Sequence, residues 1–87
     1  MTWDAELDAT GLLCPLPVLK ARKRLLALPV GAVLRVVADD PAALVDVPHF
    51  CAEQGHALIG QEDLGHPRHA YLIRRGGWGQ RKKSDPL

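Results

Sequence analysis

The chain has 87 residues, enough for one small domain with a thin burial margin. Hydrophobic residues make up 47% and charged residues 24%, the composition of an ordinary globular domain rather than a disordered one. A formal net charge of +1 excludes a global field that would draw in nucleic acid or a membrane surface.

The N-terminal "MTWDAELD" is acidic and lacks the basic and apolar regions of a signal peptide. No apolar run is long enough to span a bilayer. A cytoplasmic protein is therefore expected. Its two cysteines, Cys14 and Cys51, stand far apart, so free thiols are expected rather than a disulfide framework.

"AELD" (5–8) alternates and reads as an edge strand. A loop marked by Gly11 follows. From Cys14 the pattern turns helical, with Val18, Ala21, Leu25 and Leu28 in one stripe and Leu19 and Leu26 beside it. Lys20, Arg22, Lys23 and Arg24 fall mostly on the other side, and "LPVG" (28–31) stops the helix. "AVLRVVA" (32–38) is rich in β-branched residues and reads as a strand buried on both flanks.

"DDP" opens the next element, and Pro48 argues against one straight helix over 41–54. A turn over Pro41–Val45 is expected, then a short helix capped by Asp46 and ended by Gly55. "HALIGQE" (56–62) and "RHAYLIR" (68–74) alternate as strands, and "DLGHP" between them is turn chemistry, which makes a hairpin. The order is β-α-β-α-β-β. Two helices on one face of a four-stranded mixed sheet, a two-layer α/β sandwich, would bury both helical stripes. Residues 76–87, "GGWGQRKKSDPL", are expected to hang free of a domain spanning 1–75, with Trp78 as a possible anchor.

The chemistry concentrates in "DATGLLCPLP". With Cys14 as the helix cap, Pro15 and Pro17 occupy first-turn positions that need no intrahelical N–H bond. They start the helix rather than break it. The thiol then sits where the helix dipole favours an anion. The prolines withhold donors, leaving Leu16 N–H as the main partner and Val18 N–H behind it. A moderately lowered thiol pKa follows. Leu13, Pro15, Leu16 and Pro17 form an apolar collar suited to docking another protein. The bland reading is that Cys14 is a small core residue; its position between turn signals argues against that.

This element resembles the signature of the TusA/SirA-type sulfur-carrier family: a glycine three residues before Cys-Pro-x-Pro at the head of the first helix. "ADDPAALVDVPHFCAEQGHALIG" and "YLIRRGG" resemble the corresponding family segments in content and order, so the likeness runs from about Leu7 to Gly77. The resemblance implies a two-layer α/β sandwich and a sulfurtransferase that acts as a carrier. Cys14 would accept sulfane sulfur as a persulfide from a cysteine desulfurase or a rhodanese-like protein. It would pass the sulfur to a downstream relay protein, toward tRNA 2-thiouridine, sulfur oxidation or cofactor supply. Gly11 would let the loop turn beneath the thiol. Thiol–persulfide exchange requires no metal or organic cofactor, and a carrier that both loads and unloads suits an intermediate thiol pKa.

Other residues carry weaker signals. Cys51 reads as a core cysteine before a resolving thiol, because its neighbours look like a packed face. His49, His56, His66 and His69 lack metal-site spacing. Lys20, Arg22, Lys23 and Arg24 read equally as a partner-docking surface or a solvated face. Without interleaved aromatics they argue against direct RNA binding. Asp39, Asp40 and Asp46 read as cap and turn residues. A non-catalytic interaction module using the apolar patch, or a nucleic-acid module using the basic residues, are the rival readings.

Overall fold

The computed structural model describes residues 2–77. Its elements are β1 (Ala5–Asp8), α1 (Leu16–Leu26), β2 (Val33–Ala38), α2 (Ala43–Gln54), β3 (Ala57–Asp63) and β4 (His69–Arg74). The expected β-α-β-α-β-β order is the observed one. The sheet runs β1-β2-β4-β3. β1 is an edge strand parallel to β2, and β4 is antiparallel to both β2 and β3.

Strand alternation divides the sheet into two faces. Leu7, Leu34, Val36, Ala38, Tyr71 and Ile73 turn to one face and join Ala21 and Leu25 of α1 and Val47, Phe50 and Cys51 of α2 in a single core. Among the described residues no helix covers the other face. There Arg35 pairs with Glu6, lies 3.9 Å from Glu62, and sits under the Trp3 ring at 4.7 Å. β2 is thus flanked by strands on both sides, and its helix-facing Leu34, Val36 and Ala38 are sealed; on the open face Val37 is buried while Val33 and Arg35 remain half-buried.

The stripe on α1 behaves as its spacing predicts. Ala21 and Leu25 are buried, while Leu19 and Leu26 at its margins are about half exposed. Lys20, Arg22, Lys23 and Arg24 face solvent. The last two occupy the final turn, where cations complement the helix dipole.

The second helix corrects the expectation. It begins at Ala43, and Asp46 is its fourth residue rather than its cap. Pro48 lies inside the helix. A proline there costs about 3 kcal/mol. Burial of Val47 and Phe50, at about 1.5–3 kcal/mol per large apolar side chain, offsets that cost. The turn before it supplies the start: Asp40 Oδ1 accepts the Ala42 N–H at 3.1 Å, and Ala43 and Leu44 donate to the carbonyls of Asp40 and Pro41. The helix does end at Gly55, whose φ of 78° lies in the left-handed region that glycine enters without steric cost.

The β3–β4 hairpin closes through Asp63, which accepts the Gly65 N–H at 2.8 Å. The register slips between Leu58 and Gly60, leaving Ile59 as a bulge. Beyond β4, Gly76 is not free: its N–H donates to His56 Nδ1 at 3.0 Å. Trp78 and the rest of the expected tail lie outside the described residues.

The buried stripe predicts a sharp contrast between neighbours. Leu25→Ala should lower unfolding free energy by about 2–5 kcal/mol, whereas Leu26→Ala should change it by less than about 0.5 kcal/mol. Urea denaturation of the two variants checks this.

Candidate functional site

Parallel pairing sets the site. Because β1 and β2 run the same way, the loops that follow them emerge at the same edge of the sheet. The first loop carries Cys14; the second carries Asp39 and Asp40. Gly11 takes a φ of 82°, and its N–H donates to Asp39 Oδ1 at 3.0 Å. The Cys14 N–H donates to Asp40 Oδ2 at 2.6 Å. Since the other Asp40 oxygen holds Ala42, one carboxylate ties the cysteine loop to the start of α2.

The helix starts later than the sequence predicts. Pro15 is the cap, Leu16 the first helical residue and Pro17 the second, so Cys14 stands one residue before the cap. The Cys14–Pro15 peptide bond is cis. The prolines still occupy positions that need no intrahelical N–H, as expected. The Leu16 N–H, however, donates to Leu13 O at 2.8 Å rather than to the thiol. The thiol is instead a donor, from Sγ to Asp46 Oδ2 at 2.8 Å. A shallow groove of about 220 Å³ lies beside it, lined by Cys14, Pro15, Val18, Asp46, His49, Phe50 and Glu53. Asp46, His49, Phe50 and Glu53 follow the i, i+3, i+4, i+7 spacing of one helix face.

The family described as "Sulfurtransferase TusA" matches residues 5–75. This chain belongs to the TusA family. Its fold is also that of the SirA-like protein from Desulfitobacterium hafniense, with a TM-score of 0.74, 24% identity, and coverage of 84% of this chain and 99% of that one.

In this TusA-family chain the electrostatics at Cys14 run opposite to the expectation from the helix dipole. The hydrogen bond to Asp46 pushes the thiol pKa up, and desolvation and the charges of Asp46 and Asp40 add to it. A thiol that donates to a carboxylate is stabilised in its neutral form, and two nearby anions disfavour a third. The positive helix end gives no backbone N–H to the sulfur, so it does not compensate.

The four collar residues differ in exposure. Leu13 is 70% and Leu16 45% exposed, and Pro15 is exposed as well. Pro17 is buried and belongs to the packed side of α1. Leu44 and Val45, beside Asp46 at the start of α2, add exposed apolar surface that the sequence reading passed over. Lys20, Arg22, Lys23 and Arg24 do not enter the thiol groove. Lys20, Lys23 and Arg24 line a separate depression with Leu7 and Ala27, and Arg24 donates to Glu6 O at 3.1 Å.

Cys51 is a core residue, and burial pushes its thiol up to about 11. His49 pairs with Glu53 at 3.4 Å, and His56 is held below its usual pKa by burial and by Arg75. Among the described residues no cluster of His, Cys, Asp and Glu could hold a metal ion. No described helix is long and apolar enough to cross a membrane.

Asp39, Asp40 and Asp46 are the residues whose part in the site the sequence reading missed. The available signal was topological. A β-α-β unit with parallel strands brings its two post-strand loops together, so "ADDP" after β2 had to lie beside "TGLLCP" after β1.

The raised Cys14 pKa has a direct check. The pH dependence of iodoacetamide alkylation should place the Cys14 pKa above the free-thiol value of about 8.5. In Asp46→Asn it should fall, because the charge that opposes the thiolate is gone. A wild-type value below the free-thiol reference would contradict the Asp46 contact.

Proposed function

We propose that this chain is a sulfur carrier that holds sulfane sulfur as a persulfide on Cys14. The observation that carries the reading is the placement of an exposed thiol on a loop pinned by two aspartates, in a chain of a sulfurtransferase family. Gly11, Pro15 and Pro17 shape the loop and helix start around it. Leu13 and Leu16 present an apolar surface for a protein partner.

The reaction is thiol–persulfide exchange. The Cys14 thiolate attacks the outer sulfur of a donor persulfide, the S–S bond of the donor breaks, and the donor leaves as a thiolate. Delivery reverses the roles: an acceptor thiolate attacks the outer sulfur on Cys14, and Cys14 leaves. No net oxidation occurs, and neither metal nor organic cofactor takes part.

The donor is a cysteine desulfurase or a rhodanese-like protein, and the acceptor a further relay protein. Tied at both backbone and side chain, Cys14 is set to meet such partners at the surface. Lys20, Arg22, Lys23 and Arg24 offer a contact surface for an acidic region of a partner. The pathway served is tRNA 2-thiouridine synthesis, sulfur oxidation or cofactor supply, carried out in the cytoplasm by a domain spanning residues 1–75.

Incubation of the reduced protein with a cysteine desulfurase and cysteine, or with a rhodanese and thiosulfate, tests the proposal. Intact mass should rise by one sulfur, about 32 Da. The adduct should be absent in Cys14→Ser and retained in Cys51→Ser. Absence of loading from every such donor would favour a non-catalytic interaction module.

A further inference from the structure

We infer that Asp46 is the proton acceptor and donor for sulfur exchange at Cys14. The inference rests on the persulfide reading and deepens it.

The geometry singles out one carboxylate. Asp46 Oδ2 accepts the Cys14 thiol hydrogen at 2.8 Å, within the reach required of a general base. Asp40 is occupied, with one oxygen on the Cys14 N–H and the other on the Ala42 N–H. His49 and Glu53 line the same groove, but neither is hydrogen-bonded to the sulfur. The Asp46 main chain is held in the first turn of α2, where its N–H donates to the carbonyl of the cap residue Ala42 at 2.8 Å. Asp40 holds the cysteine backbone, so sulfur and carboxylate are presented to each other from two anchored elements.

The same contact sets a problem and supplies its solution. Beside two carboxylates the resting sulfur is a neutral thiol, which is a poor nucleophile. It becomes a thiolate when its proton moves to Asp46. Cys14 then attacks the outer sulfur of donor–S–SH, forming Cys14–S–SH and releasing donor–S⁻. The donor thiolate takes the proton from the Asp46 carboxylic acid. The net exchange is Cys14–SH plus donor–S–SH giving Cys14–S–SH plus donor–SH, with one sulfur atom transferred and charge conserved. In delivery the acceptor thiol gives its proton to Asp46 and attacks the outer sulfur. Cys14 leaves as a thiolate and is reprotonated by Asp46. The carboxylate ends each half-reaction as it began, and no oxidant or reductant is consumed.

Two readouts of Asp46→Asn in the full-length chain separate this role from simple suppression of the thiolate. Alkylation by iodoacetamide at neutral pH needs only free thiolate, so it should speed up. Single-turnover sulfur transfer from a persulfidated cysteine desulfurase, read at saturating donor, should slow by at least about tenfold, as loss of general acid–base help does. Asp46→Glu, which keeps a carboxylate, should recover part of the transfer rate.

Transfer in Asp46→Asn as fast as in the wild type, or faster, would overturn the inference. Wild-type chain that does not load would instead overturn the persulfide reading. Protection of Cys51 from alkylation reports that the variant is folded. If the asparagine variant exposes Cys51, Asp46→Ser is read in the same two assays.

Discussion

The parallel pairing of β1 with β2 is the constraint on which the rest of the site depends. Its register sets Leu7 against Val36 and Asp8 against Val37, so both strands end together. The loop leaving β1 and the loop leaving β2 must then share the space above the sheet edge. The backbone N–H groups of Gly11 and Cys14 meet the carboxylates of Asp39 and Asp40 there. Without that pairing Cys14 would sit on an untied loop, and α2 would not bring Asp46 to the sulfur.

Two electrostatic influences compete at Cys14, and distance with direction decides between them. A helix N-terminus favours an anion only if its N–H groups reach it. Here the first free N–H, from Leu16, is taken by the Leu13 carbonyl, and Pro15 and Pro17 have none to offer. The carboxylate of Asp46 is in hydrogen-bond contact with the sulfur. Contact prevails over a dipole that has no donor aimed at its target. The resulting thiol is stabilised in its neutral form by the carboxylate it touches.

Much of the architecture was legible because it follows from local periodicity. The stripe of Ala21 and Leu25, the β-branched run of β2, and the "DLGHP" turn each belong to a single short segment. α2 was harder. Pro48 reads locally as a break, yet Ala43, Val47, Phe50 and Cys51 fall on one buried face across it. Tertiary burial outweighed the local penalty. At the site, Cys14 was legible from its proline-rich surroundings. Asp46 was not, because 32 residues separate it from the thiol it contacts.

The amino-acid sequence by itself determined the element order, the core stripes, the exposed Cys14 at a proline-started helix, and the likeness to sulfur carriers. Each of these depends on residues close together in the chain. Tertiary structure decided which charges surround the thiol, and with them whether its pKa rises or falls. The sign of a pKa shift depends on groups within a few ångströms in space. Only the folded β-α-β unit, with α2 packed beside α1, brings Asp40 and Asp46 that close.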